Sequence, residues 1–141
     1  AEVVQSMLKE VGIDAEIIVL DWGAYQEATT QGEVTELFLL GKGSPAGDPD
    51  YDLSLSFGTG GKMNNSFYSN TKVDELLADQ KTSVDQEYRA KVLHQIQEEI
   101  HNDSPWAVLY YENQTMGKRA DVDGFRVWPN EILDLRYLTR K

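Results

Sequence analysis

The chain contains no cysteine among its 141 residues, and basic residues are scarce. The absence of cysteine excludes disulfides and thiolate nucleophiles, and it removes the commonest ligand of structural zinc sites. Only 13 Lys and Arg residues oppose 24 Asp and Glu residues, which gives a net charge of −11. This acidity argues against nucleic acid or an anionic membrane as a main partner, because both require clustered basic side chains.

The sequence also lacks long apolar runs and the short motifs of common enzyme classes. No stretch approaches the ~18 consecutive apolar residues that cross a membrane, and nothing at the amino terminus resembles a signal peptide. No HExxH, phosphate-binding glycine loop or GxSxG pattern is found, and no spacing of Asp and Glu marks an acid and base pair. We therefore interpret the chain as non-catalytic, and we expect no cofactor.

Helical and strand patterns alternate along the chain, whose length suits one domain. Apolar residues at helical spacing, with capping residues before them, predict helices over residues 1–11, 22–31, 51–57, from 71, and from 84 or 85 to about 102. Runs of branched and aromatic residues predict strands over residues 13–20, 35–40, 106–111, 125–128 and 132–138. This alternation predicts an α/β fold in which helices pack on a sheet.

A glycine-rich, acidic loop over residues 41–52 follows the second predicted strand. Loops at strand ends commonly hold ligands in α/β folds, and glycine lets a ligand approach the backbone closely. The candidate ligand-binding residues in this loop are Lys42, Gly43, Ser44, Pro45, Asp48 and Asp50. Two alternatives stay open: Asp48 and Asp50 could cap the following helix, and Lys42 could be a solvated charge.

Other residue types that often form sites have simpler interpretations here. His94 and His101 are seven residues apart on one predicted helix, which is too far to chelate one metal, so we expect surface histidines and no metal site. Asn64 is expected to cap a turn rather than to bind ligand. An aromatic pocket and a place in the core are both open for Trp22, Tyr25, Trp106, Tyr110 and Tyr111.

The order of these segments resembles the carboxy-terminal part of the peptide, dipeptide and nickel solute-binding proteins that feed ABC importers. The resemblance is carried by MLKEVGIDAEI, DW with Tyr25, LFLLG, DPD, FYSNTKVDELL, DQEYRAKVLHQIQEEI, DSPWAVLYYEN, the VDGF turn and ILDLRYL. It covers essentially the whole chain in register. It implies that residues 1–141 form one domain, the C-terminal lobe (domain III) of a type II periplasmic binding protein, with a mixed sheet flanked by helices.

The resemblance also implies partners and a location. We expect the chain to be a fragment, with the amino-terminal lobe and a signal or lipid anchor lying before Ala1. The intact protein would be a periplasmic or extracellular lipoprotein that delivers a small peptide or related solute to ABC permease subunits. Family members carry a strand before the first helix, and this sequence has none there. We therefore expect one edge of the sheet to be exposed and able to pair with another chain.

Two departures from the family pattern fall in the loop. Lys42 stands where family members usually have a Trp that lines the cavity, and Pro45 stands where peptide binders place an Asp for the ligand's ammonium group. Asp48 and Asp50 could replace that carboxylate only if the loop bends differently. Two alternatives to solute capture stay open: an isolated interaction or scaffold module, and a nickel or metal-chelate binder of the same family.

Overall fold

The computed structural model of the chain describes residues 1–34, 36–45, 47–113, 115–128 and 132–141. They divide into two compact units, Ala1–Gly41 and Lys42–Lys141. None of the helices in the described ranges is long and apolar enough to cross a membrane. The single domain expected over residues 1–141 stays a prediction.

The first unit contains two helices, and both were predicted. Helix α1 spans Glu2–Glu10 and helix α2 spans Trp22–Gln31. The Asp21 side chain caps α2 by accepting hydrogen bonds from the backbone N–H groups of its first turn, at 3.0 and 3.2 Å. Gly32 ends α2 in the left-handed conformation, with φ of 73°, which glycine adopts without steric cost.

The second unit is built around a helix pair. Helix α3 spans Pro49–Phe57, α4 spans Thr71–Asp79, a 3₁₀ turn spans Gln80–Thr82, and α5 spans Gln86–Asp103. Asn70 caps α4 and Asp85 caps α5. Helices α4 and α5 bury Val73, Leu77, Val92 and Ile96 between them.

Two features of this unit involve polar groups. Tyr88 in the first turn of α5 is exposed, and its hydroxyl donates a hydrogen bond to Asp79 Oδ2 at 2.7 Å. The segment 58–70 is mostly exposed or half-buried, but Gly58 and Asn64 are buried. The buried Asn64 amide donates to the carbonyls of Gly58 and Tyr68, so it holds this segment against the end of α3.

The described strands form two small antiparallel sheets near the carboxyl end. Strands β1 (Val122–Asp123) and β4 (Thr139–Arg140) form one pair, and β2 (Arg126–Val127) and β3 (Leu133–Asp134) form the other. The strand predicted over 132–138 is shorter than expected, because the chain turns after Asp134 and returns as β4. The chain turns at residues 120 and 121, just before β1, and Gly124 follows β1 with φ of 78°.

Three strands predicted from apolar runs are wrong for the described residues. Residues 13–20, 36–40 and 106–111 have no strand partner there, and residue 35 lies outside the described ranges. Side chains in each run are exposed, including Val19 at 87%, Leu37 at 75% and Tyr111 at 94%. The physical reason is that β propensity reflects fit to a pleated, half-buried surface, whereas a strand forms only when a neighbour accepts its hydrogen bonds.

Candidate functional site

The candidate loop begins the second unit and ends at the first turn of α3. Residues 42–45, 47 and 48 are described; Ala46 is not. Lys42, Gly43 and Pro45 are exposed, and Ser44 is half-buried. The exposed part of the loop therefore lies at its amino-terminal end.

Asp48 joins the loop to α5. Its side chain caps α3 by accepting a hydrogen bond from the backbone N–H of Asp50 at 2.9 Å. The Arg89 guanidinium donates to both oxygens of the same carboxylate, from Nη1 at 2.9 Å and from Nη2 at 2.6 Å. Such a bidentate pair is geometrically specific as well as charge-assisted. The capping alternative is confirmed for Asp48, and its role toward a ligand stays a prediction.

Asp50 is held by a second set of partners. Its Oδ1 accepts hydrogen bonds from the Ser54 hydroxyl at 2.7 Å and from the Gln80 side-chain amide at 2.6 Å. The Lys81 ammonium lies 3.3 Å from the same oxygen and also donates to Ser54 Oγ at 3.0 Å. Both carboxylates of the DPD sequence are thus engaged within the second unit.

Gln80 connects the two carboxylates. It is fully buried, and its Oε1 accepts a hydrogen bond from Arg89 Nε at 2.9 Å while its amide donates to Asp50 and to the Leu77 carbonyl. We call the set Asp48, Asp50, Ser54, Gln80, Lys81 and Arg89 the loop-anchoring network. Because the buried Gln80 amide forms hydrogen bonds through both its oxygen and its nitrogen, it fixes the position of the loop relative to α4 and α5.

The network predicts an acid-dependent loss of stability. Hydrogen bonds from Arg89 and then from the Asp50 backbone lower the pKa of Asp48 from its ordinary 3.8 to about 2. Because the folded pKa lies below the unfolded one, Asp48 stabilises the fold above about pH 4, and this contribution is lost as the pH falls toward about 2. We expect the Asp48→Asn variant to lose less stability than the parent chain over this interval, in urea unfolding at stepped pH.

The matched control is Asp14→Asn, which removes an exposed carboxylate outside the network. It should keep the full acid dependence of the parent chain. Other carboxylates, among them Asp134, also have lowered pKa values. They should therefore give every variant some loss of stability at low pH. Identical acid profiles for Asp48→Asn and the parent would contradict the role given to Asp48.

Lys42 lies beside an aromatic cluster. Its Nζ is 5.9 Å from the ring centroid of Trp106, and Trp106 packs on Phe57 with centroids 4.4 Å apart. Partial burial of the ammonium lowers the pKa of Lys42, while the negative charge of Asp52 acts in the opposite direction. Phe57 also meets Tyr68 edge to face at 6.3 Å. Lys42 is therefore an exposed residue whose ammonium lies over a packed ring.

The other predicted candidates are spread over the chain. Trp22 and Tyr25 stack at 5.7 Å in the first unit, whereas Tyr110 and Tyr111 are exposed in the second. His94 and His101 are exposed, as expected. In the described ranges, no three His, Asp or Glu side chains gather closely enough to hold a metal ion. Asn64 stabilises a turn, as predicted.

Sequence reasoning missed Gln80, Lys81 and Arg89. Arg89 lies 41 residues after Asp48, on a helix whose charged residues read as a solvated face. No spacing rule links such distant positions. The sequence carried only an indirect signal, a capping Asp48 followed two residues later by Asp50. Two partly buried carboxylates need cationic partners, but the pattern does not say which residues provide them.

A cavity of about 680 Å³ lies elsewhere in the second unit. None of the predicted ligand-binding residues borders it. The described residues that line it are Trp128, Ile132, Leu133, Asp134, Leu135 and Arg136.

No protein-family model matches the chain. Among curated proteins, it is 33% identical over 132 residues to "Probable di/tripeptide-binding protein 5" of Pseudomonas aeruginosa, an alignment that covers 92% of this chain and 25% of that protein. The predicted resemblance to the peptide-type solute-binding proteins is confirmed. The chain spans about a quarter of the length of the curated relatives it matches. Those relatives are named as binding proteins and not as enzymes.

Solved structures agree on the fold. The periplasmic binding protein DppA of Helicobacter pylori, solved with the peptide STSA, is 34% identical and superposes with a TM-score of 0.67, covering 72% of this chain and 21% of that one. NikA of Staphylococcus aureus, solved with Ni(L-His)2, gives a TM-score of 0.79 at 19% identity, over 99% of this chain and 30% of that one. The fold is that of part of a type II periplasmic binding protein, an α/β architecture.

Proposed function

We propose that this chain forms one wall of the ligand cleft in the substrate-binding component of an ABC importer, and that the solute is a small peptide or a related molecule. The observation that carries the proposal is the anchored loop. The bidentate pair between Arg89 and Asp48 and the buried Gln80 hold its carboxyl end, so its exposed end can meet a ligand with little loss of conformational freedom.

The residues have two roles in this proposal. Lys42, Gly43, Ser44 and Pro45 face the solute, where backbone groups would hydrogen-bond an extended peptide as a strand does. Asp48 and Asp50 act by positioning the loop, because their carboxylate oxygens already accept hydrogen bonds from the network.

Capture would require a second lobe. Ligand pockets bury most of a small ligand between convergent groups, and this chain would supply one side of such a pocket. The two lobes would close about hinge segments over the solute, and the closed form would present it to the permease. The proposed location is periplasmic or extracellular, with a lipid anchor in the full-length form, and the role is non-catalytic.

A chimera tests the proposal. The 132-residue segment of the Pseudomonas aeruginosa relative is replaced by the matching residues of this chain, and alanyl-alanine binding is measured by calorimetry. We expect a folded chimera that binds the dipeptide. A folded chimera without binding contradicts the proposal, and so does a chimera that cannot fold, because the chain would then not fit the place assigned to it.

The alternative of an interaction module has one observation in its favour. Apolar side chains in residues 13–20, 36–40 and 106–111 are exposed, among them Val19, Leu37 and Val108, and exposed apolar segments favour association with another chain. Size-exclusion chromatography with light scattering separates self-association from a monomer. The metal-chelate alternative rests on the shared fold with NikA and is decided by elemental analysis of the purified chain.

A further inference from the structure

Asp48 and Asp50, two of the three carboxylates of the loop, are poor anchors for a cationic ligand group. Asp48 is paired with the Arg89 guanidinium, and Asp50 lies 3.3 Å from the Lys81 ammonium. A ligand ammonium could pair with either carboxylate only by competing with these cations and breaking hydrogen bonds that hold the loop. The loop therefore offers no spare negative charge at Asp48 or Asp50.

The Lys42 ammonium is in the opposite situation. Its side chain is exposed, and it forms no salt bridge with a carboxylate in the described part of the chain. Its Nζ lies over the Trp106 ring, and Trp106 packs against Phe57. A cation attracted to an aromatic face keeps its N–H donors for a further partner.

We infer that Lys42 and Trp106 form a subsite for the carboxylate of the solute, so that this wall selects an anionic ligand group and not an ammonium. We call the pair the Lys42–Trp106 platform. The Lys42 N–H groups would donate to the carboxylate oxygens while the indole holds the ammonium in place. This inference rests on the proposed function, and it specifies that the ligand group bound at this wall is negatively charged.

Asp52 provides an internal check. Desolvation lowers the pKa of Lys42, and the negative charge of Asp52 acts in the opposite direction without offsetting it. The same charge repels a carboxylate that approaches the platform. Removing it by Asp52→Asn should therefore tighten anion binding, whereas the same change would weaken the binding of a cation.

The experiment uses the full 141-residue chain, labelled with ¹⁵N, in about 0.15 M salt, where the net negative charge is screened beyond about 8 Å. Two probes are titrated to their solubility limits: N-acetyl-alanyl-alanine, which carries one carboxylate and no ammonium, and alanyl-alanine amide, which carries an ammonium and no carboxylate. The readout is the indole N–H resonance of Trp106, assigned with Trp106→Phe. We expect the acidic probe to shift this resonance and the amide to leave it unchanged.

Variants separate a site from a general charge effect. Lys42→Met should weaken the response to the acidic probe by at least about fivefold, and Lys42→Arg should retain it. Lys91→Met removes one exposed positive charge from α5 and is the matched control; it should respond as the parent does. Asp52→Asn should strengthen the response.

Each contrary outcome overturns the subsite. Equal shifts with both probes, an unchanged response in Lys42→Met, or no shift with either probe would each do so. None of these results decides whether the chain forms a cleft wall, because that question is answered by dipeptide binding in the chimera. A chimera that binds alanyl-alanine together with a silent Trp106 resonance would keep the proposed function and remove the platform.

Discussion

Replacing Ile96 by alanine is expected to lower the free energy of unfolding by about 2–5 kcal/mol. Ile96 is fully buried between α4 and α5, among Val73, Leu77 and Val92. Truncation removes three buried carbon atoms and leaves a cavity that two packed helices cannot close without losing other contacts. Urea unfolding followed by circular dichroism at 222 nm measures the effect.

The matched control is Val84→Ala, because the Val84 side chain is fully exposed just before α5. We expect its free energy of unfolding to stay within about 0.5 kcal/mol of the parent value. Similar losses for Ile96→Ala and Val84→Ala would contradict the placement of the core between α4 and α5.

The Gln80→Leu variant is expected to lose about 2–3 kcal/mol of stability. Leucine has a similar volume, so packing is largely kept, but three hydrogen bonds disappear. Arg89 Nε loses its acceptor, and Asp50 loses a donor at 2.6 Å. Asp50 keeps the Ser54 hydroxyl and Lys81, but the Arg89 Nε–H is left without its acceptor in a half-buried site, which costs more than the hydrogen bond itself contributes.

Gln95→Leu serves as the control, since Gln95 lies on the exposed face of α5. Its stability should change little. A second readout identifies the cause of the loss in Gln80→Leu: the backbone amide resonance of Asp50, which reports the Asp48 cap, should move in Gln80→Leu and stay fixed in Gln95→Leu. An unmoved resonance, or an unchanged stability, would contradict the anchoring role of Gln80.

The helices could be predicted from the sequence because their causes are local. Asp21, Asn70 and Asp85 each cap a helix through backbone N–H groups two or three residues later. The strands at 13–20 and 106–111 were predicted wrongly, because a strand depends on a hydrogen-bonding partner elsewhere in the chain, which local patterns do not show. Their apolar side chains favour burial, but no strand among the described residues forms hydrogen bonds with them.

The sequence predicted some residues of the candidate site, but not the distant residues that contact them. Asp48 before Pro49 is a local capping signal, and the structure confirms the cap. The partner that holds Asp48, Arg89, is 41 residues away, and only the packing of α3 against the α4 and α5 pair brings them together. Likewise, the sequence showed an unusual Lys42, but its position over Trp106 follows from tertiary structure.

The central claim is that this chain is one wall of a solute cleft and needs a second lobe to hold a solute. The most direct measurement is the alanyl-alanine affinity, by calorimetry, of the isolated 141-residue chain and of the chimera with the Pseudomonas aeruginosa relative. We predict no better than millimolar binding by the isolated chain and at least about 100-fold tighter binding by the chimera, which corresponds to about 2.7 kcal/mol. Micromolar binding by the isolated chain, or equal affinities for the two, would contradict the claim.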